Sequence, residues 1–146
     1  MLEALRANRR EAFAGLVLIA LVAAYLATHP RGLSTYVLTI WANQGLILGL
    51  AAAAQFFAVV VRGIDLSVGA VMALTNCLAS YLLDGSALGI AFGMVIVVAA
   101  GALCGLLNGL LVVYGRIQPL VVTLANASVF TGLALLFRPS PAGAVD

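Results

Sequence analysis

Charged residues are so sparse in this chain of 146 residues that they divide it into long apolar blocks. Only 8% of the residues are charged and 64% are hydrophobic, and the mean hydropathy is +1.19. A helix needs about 20 apolar residues, within a range of about 17 to 25, to cross the hydrocarbon core of a bilayer. Because the blocks have about this length, the sequence predicts an all-α polytopic membrane protein and excludes a soluble domain.

The spacing of charged and loop-forming residues predicts about five transmembrane helices. The predicted membrane domain covers residues 12–137, between a cytoplasmic segment at 1–11 and a loop-like tail at 138–146. The second block is too long for one ordinary span, so we expect a short interfacial or broken piece at 33–41. The predicted spans are 12–28, 43–61, 66–83, one within 87–114, and 117–137.

The arginines predict the orientation of these spans. Short loops rich in Lys and Arg favour the cytoplasmic side of a membrane. A cytoplasmic N-terminus places five arginines inside, which are Arg6, Arg9, Arg10, Arg62 and Arg116. It leaves only Arg31 and Arg138 outside, so we expect the N-terminus to be cytoplasmic.

Several functional classes are disfavoured by what the chain lacks. It has no lysine, so it cannot carry the phosphate-binding loop that ends in Lys and Ser or Thr. The single histidine, His29, has no Cys, Asp or Glu beside it, which argues against a metal site or a His-based nucleophile. We therefore predict no enzyme, no metal and no cofactor in this chain. Cys77 and Cys104 are interpreted as small packing residues, and the net charge of +2 as a topology signal and not a nucleic-acid footprint.

Glycines recur at intervals of four residues. This spacing lets helix backbones approach closely in a membrane. Packing within one bundle is the simpler interpretation, and a dedicated dimer face is the alternative. The predicted packing positions are Gly45 and Gly49, Gly89 and Gly93, and the series Gly101, Gly105 and Gly109.

Amide side chains lie inside four predicted spans, at Gln55, Asn76, Asn108 and Asn126. An unpaired amide in hydrocarbon is costly, so each should face the bundle or a water-filled path. An interhelical hydrogen bond is the simpler role for any one of them. Asn76 and Asn126, with Gln55, are the candidates for lining a solute path.

The stretch VVVRGIDLSVGAVMAL, at 59–74, keeps two charges between apolar runs. We predict a tight cytoplasmic turn in which Gly63 takes a conformation closed to other residues. Asp65 would be the N-cap of the third helix and accept the N–H of Ser67 or Val68. On these grounds alone, Asp65 is a helix cap and Arg62 a topology determinant.

The segment GIDLSVGAVMAL, at 63–74, resembles the signature of the permeases of ribose-type ABC sugar importers, a family that includes xylose, arabinose, galactose and autoinducer-2 permeases. A second resemblance joins NGL at 108–110, RIQPLVVTL at 116–124 and GLA at 132–134. Arg62 stands where the family usually has Gly, Ala70 replaces Ser, Gln118 replaces Pro, and Thr131 replaces Arg. The core from Gly63 to Gly69 matches.

The resemblance implies a permease subunit in the bacterial inner membrane that imports a monosaccharide or similar polar solute. It implies three partners besides lipid: a cytoplasmic ATPase that uses the ATP, a second permease copy, and a periplasmic sugar-binding protein, with no nucleic acid among them. The residues implicated at the inner mouth of the path or in coupling to the ATPase are Gly63, Asp65, Ser67 and Gly69.

The resemblance implies a permease built of two halves with five spans each. The five predicted spans of this chain match the N-terminal half. Transporters built from repeats carry the path at the interface between the repeats. Two alternatives stay open. One is half of an ion-coupled secondary transporter, which the lack of charged residues in mid-span disfavours. The other is a truncated permease fragment without transport function.

Overall fold

The computed structural model describes the backbone of residues 2–30, 32–83 and 85–139, and the side chains of these residues except 2–8 and 10. All of its regular structure is helical within this described part. Five helices follow one another as α1 Leu2–Thr28, α2 Thr35–Val60, α3 Val68–Leu82, α4 Ala87–Val113 and α5 Pro119–Phe137. The predicted loop positions Arg31, Asp84 and 140–146 lie outside the described residues.

Four of the described helices have the length and composition to cross a membrane. They are α1 from Glu11 to Thr28, α2, α4 and α5. The all-α polytopic prediction is therefore confirmed. The expected break at 33–41 is wrong, because α2 runs without interruption from Thr35 to Val60. That stretch contains no Pro to interrupt the helical hydrogen bonds, and a helix of this length can tilt to fit the bilayer.

The third predicted span is shorter than expected. We predicted a helix at 66–83, but α3 has 15 residues, Val68–Leu82. At 1.5 Å per residue it is about 22 Å long, short of the hydrocarbon core of about 30 Å. The residues expected to form its first turn, Leu66 and Ser67, belong to the preceding segment instead. Their backbone N–H groups donate to side chains and not to helix carbonyls.

The described contacts divide the chain into two compact units, Met1–Leu48 and Gly49–Asp146. In the first unit, the ring of Tyr25 stacks on His29 with centroids 4.8 Å apart and meets Trp41 at 5.2 Å. Val37 is buried there. Aromatic side chains of this kind are typical of the interface between membrane and water.

The second unit is built on α3, α4 and α5, and each of these helices packs against the other two. Their apolar core is one cluster of buried side chains: Leu74, Cys104, Phe130 and Ala134. Cys77 is half-buried against this cluster, and both cysteines are free thiols. At the end of α5, the Arg138 guanidinium donates to the carbonyl oxygen of Ser80 at 3.1 Å, which fastens α5 to the last turn of α3.

Candidate functional site

The turn after α2 is a Schellman motif with an unusual residue in its left-handed position. The N–H of Gly63 donates to the carbonyl of Ala58, and the N–H of Arg62 to that of Val59, both at 2.9 Å. This pairing satisfies the last carbonyl groups of a helix. It needs a positive φ at the C′ residue, just beyond the helix end. Arg62 supplies it, with φ 59°.

The prediction that Gly63 takes the special conformation is therefore wrong, since Arg62 takes it. A glycine would adopt this backbone without strain. Gly63 itself lies in an ordinary backbone conformation beside the start of α5. A Cβ there would lie 3.4 Å from the Ala58 carbonyl oxygen and 3.7 Å from the Cβ of Pro119, which are normal van der Waals distances.

The segment between this turn and α3 is fastened to α5 by one buried threonine. The N–H of Leu66 donates to Thr123 Oγ1 at 3.1 Å, and the Thr123 hydroxyl lies 3.3 Å from the carbonyl oxygen of Ile64. Thr123 is buried. Non-helical backbone at membrane depth is tolerated where protein satisfies its polar groups, and Thr123 does so for two of them.

Asp65 lies at the start of a polar chain and not at the N-cap. Its Oδ1 accepts the N–H of Ser67 at 2.7 Å, as predicted, and also the Ser67 hydroxyl at 2.6 Å. The N-cap itself is Ser67, whose side chain caps nothing in the helix. The predicted cap position is therefore wrong by two residues, because Asp65 folds the backbone back on itself before the helix begins.

The chain continues through the amides of two other helices. Asn108 Nδ2 on α4 donates to Ser67 Oγ at 2.7 Å, and Asn126 Nδ2 on α5 donates to Asn108 Oδ1 at 2.7 Å. Ser67 is 1% exposed, and Asn108 and Asn126 are buried as well. The structure thus joins three helices through one chain of hydrogen bonds, which we call the polar relay: Asp65, Ser67, Asn108 and Asn126.

The chemistry of the groups fixes the direction of the polar relay. A carboxylate only accepts, so the single hydroxyl proton of Ser67 is used on Asp65, and Ser67 Oγ can only accept from Asn108. The Asn108 amide must then turn its oxygen towards Asn126. Every donor points towards Asp65, an arrangement in which successive hydrogen bonds polarise one another.

The remaining predicted site residues lie apart from the polar relay. Gly69 is exposed in the first turn of α3, Asn76 is exposed further along the same helix, and Gln55 is half-buried on α2. Of the residues predicted to line a path, Asn126 is the one that the described hydrogen bonds join to a predicted inner-mouth residue. They join it to Ser67 through Asn108.

The predicted packing glycines differ in their surroundings. A Cβ at Gly101 would lie 3.6 Å from Thr75 Cγ2, and one at Gly93 would lie 2.9 Å from the carbonyl oxygen of Leu82, so α4 approaches α3 closely at both. At four further predicted positions, no described atom outside the glycine's own stretch of helix lies within 4 Å of a Cβ. These positions are Gly45, Gly49, Gly105 and Gly109.

Sequence reasoning missed Thr123 and gave Asn108 no special role. A signal was present for Asn108. It lies near the end of α4, Asn126 lies in the first half of α5, and a short turn joins these helices. Two amides flanking a short turn between packed helices reach a similar depth, which predicts that they meet. Thr123 carried no comparable signal, because a threonine on a membrane helix commonly bonds to its own backbone.

The family model described as the permease component of a branched-chain amino acid transport system matches residues 37–141, more than half of the chain. This chain belongs to that permease family. The predicted resemblance to importer permeases is confirmed, as is a multi-pass protein of the bacterial inner membrane. The matched residues include the whole polar relay.

Curated relatives carry the name autoinducer 2 import system permease protein LsrD. LsrD of Escherichia coli O9:H4 (strain HS) is 34% identical over 125 residues, which cover 86% of this chain and 37% of the relative. LsrD of Shigella flexneri gives the same values. LsrD of Escherichia coli O157:H7 is 33% identical over the same shares. The chain thus spans little more than a third of these relatives, and no solved structure matches it.

Proposed function

We propose that this chain forms part of the permease subunit of an ABC-type importer for a monosaccharide or a related small polar solute. The family membership supports a permease, and the relatives named as autoinducer 2 import permeases favour a small polar solute. The observation that carries the proposal is the polar relay, which connects the Asp65 segment to an amide on α5 through buried hydrogen bonds. If the Asp65 segment lies at the inner mouth and Asn126 lines the solute path, such a connection would let a change at one of them affect the other.

In this proposal the chain catalyses nothing and holds no cofactor. A cytoplasmic ATPase subunit hydrolyses the ATP, a second permease copy completes the path, and a periplasmic sugar-binding protein delivers the solute. The lack of lysine supports this division of work, because a phosphate-binding loop in this chain would need one.

Gly63, Asp65, Ser67 and Gly69 shape the inner mouth or the contact with the ATPase. Asp65 is the charged member, and its carboxylate lies between the Arg62 turn and the beginning of α3. Asn126, Asn76 and Gln55 line the path. Asn76 is exposed on the described surface, and Asn126 belongs to the polar relay.

The direct test is to co-express the complete protein that carries this chain with its ATPase and purify the two together. We expect co-purification and ATP hydrolysis that rises when solute is added with the binding protein. Failure to associate would reject the proposal. Uptake that survives ATP depletion and collapses with the ion gradient would favour a secondary transporter instead.

A variant then tests the role of Asp65. Asp65→Asn keeps an acceptor oxygen for Ser67 and removes the charge. We expect normal membrane insertion and coupled transport reduced by about 10-fold, the change that corresponds to about 1.4 kcal/mol. Glu11→Gln removes another carboxylate at the start of the first span and serves as the matched control, with transport unchanged. Normal transport in Asp65→Asn would leave Asp65 a purely structural residue.

A further inference from the structure

The far end of the polar relay presents one unused acceptor. Asn126 donates its Nδ2 to Asn108, and no described residue donates to its Oδ1. In the described part, no fully buried side-chain nitrogen or oxygen lacks a partner. The Oδ1 atom is therefore not fully buried, although the Asn126 residue as a whole is only 9% exposed.

The orientation of this amide is imposed from Asp65, three side chains away. If Asn126 turned its Oδ1 towards Asn108, two carbonyl oxygens would face each other. If Asn108 turned as well, its oxygen would face Ser67 Oγ, whose only proton is already used on Asp65. A reversed amide anywhere along the polar relay thus loses a buried hydrogen bond, which costs about 1 to 3 kcal/mol.

We propose that Asn126 Oδ1 is a contact site for a solute hydroxyl, and that Asn108 and Ser67 are positioning residues that keep this oxygen, and not the NH₂ group, facing the solute. The inference rests on the proposed function. It also states the chemistry of the ligand at this point, since a bare acceptor in a poorly hydrated site binds a neutral O–H donor and repels a carboxylate. Hydroxylated solutes are favoured, since an amino acid can donate from its ammonium group but brings a carboxylate that this oxygen repels.

The test uses the complete protein that carries this chain, assembled with its ATPase and binding protein in proteoliposomes. The probes are D-ribose, D-xylose, D-galactose, autoinducer 2 and L-leucine, and the readouts are the half-saturating concentration and the maximal rate of ATP hydrolysis. The variants are Asn126→Leu, Asn108→Leu and Ser67→Ala. Ser128→Ala is the matched control, because Ser128 is exposed on the same helix and, among the described residues, bonds only to the carbonyl of Leu124.

We expect Asn126→Leu and Asn108→Leu to raise the half-saturating concentration of the active sugar about 3- to 10-fold, as for the loss of one neutral hydrogen bond, with the maximal rate within about twofold. Combining the two variants should add little, because both remove the same oriented oxygen. A monodeoxy analogue of the active sugar should show the same loss with the unaltered protein and no further loss with Asn126→Leu. Ser67→Ala decides the case if the leucine variants do not assemble, and it should raise the half-saturating concentration at least twofold.

The outcomes separate the inference from the proposed function. An active importer whose half-saturating concentration is the same in all three variants as in Ser128→Ala overturns the inference alone. Stimulation by L-leucine and by none of the hydroxylated probes also overturns it while leaving an importer. If no probe stimulates ATP hydrolysis by the unaltered complex, the proposed function and the inference both fall.

Discussion

Two regions of the unit formed by α3, α4 and α5 hold these helices together by different kinds of contact. Around Phe130, apolar side chains of α3, α4 and α5 pack in one cluster. Beside Asp65, the same helices are joined by hydrogen bonds of 2.6 to 2.7 Å between named polar atoms. The apolar cluster depends on shape and volume, whereas the polar relay depends on the direction of each donor.

The bilayer explains why both kinds of contact are present. Lipid is as apolar as the cluster, so burying Leu74 or Phe130 gains packing contacts but little hydrophobic drive. A polar group has no good partner in lipid and must find one in protein. The polar relay therefore fixes which residues of the three helices meet, and the cluster fills the space between them.

The largest expected effect comes from emptying the apolar cluster. Phe130→Ala removes a ring that is 3% exposed and leaves a cavity between three helices. We expect the free energy of unfolding to fall by about 3 kcal/mol, measured by chemical unfolding in detergent micelles with far-UV circular dichroism. Leu136→Ala, at a side chain that is 80% exposed, should change little. Equal effects of the two changes would show that packing at this level contributes nothing specific.

Breaking the polar relay should cost somewhat less. Asn108→Ala removes the donor to Ser67 and the acceptor for Asn126, and we expect a loss of about 2 kcal/mol in the free energy of unfolding. A double-mutant cycle with Ser67→Ala measures the coupling. The combined loss should be smaller than the sum of the single losses by at least about 0.5 kcal/mol, because the two residues share one hydrogen bond. Additive losses would contradict a connected chain.

A smaller effect is expected at the turn between α4 and α5, which brings Asn108 and Asn126 together. A Cβ at Gly115 would overlap the carbonyl oxygen of Leu111. Gly115→Ala should therefore lower the free energy of unfolding by about 1 to 2 kcal/mol. Gly109→Ala is the control, since a Cβ there meets no described atom and alanine favours a helix. An unchanged Gly115→Ala would mean that the turn adapts freely.

The smallest change should be a gain in stability. Arg62 takes a left-handed φ of 59°, which costs a residue with a side chain about 1 to 2 kcal/mol. Arg62→Gly relieves this strain and makes the unfolded chain more flexible, for a net gain of about 0.5 to 1 kcal/mol. Arg62→Ala removes the charge and keeps the strain, so it should bring no gain. A gain in both variants would point to the charge and not to the backbone.

Much of the helical architecture follows from local chemistry. The apolar blocks predicted helices near the positions of α1, α4 and α5, because in lipid only hydrogen bonds within a helix satisfy the backbone of a single span. The beginning of α3 could not be predicted in this way. Leu66 and Ser67 are compatible with a helix, and they lie outside it because Thr123 and Asp65, one of them distant in sequence, bind their N–H groups.

The candidate site likewise has features that could be predicted from the sequence and features that could not. Its residue types were readable from the sequence, since an Asp beside Ser67 and amides within apolar spans are conspicuous where charges and amides are rare. Their partners were not, because Ser67 and Asn108 are separated by 41 positions and meet only when α3 packs on α4.

By itself, the sequence determined that this chain is helical and membrane-spanning, and that Asp65 accepts the N–H of Ser67. These features depend on residues close together in the chain and on the thickness of a bilayer. Only the tertiary structure decided that Arg62 takes the left-handed position in place of Gly63, that Asn108 connects Asp65 to Asn126, and which oxygen the polar relay leaves open. Each of these depends on groups that packing brings together, and the direction of a hydrogen bond is defined only once both of its partners are in place.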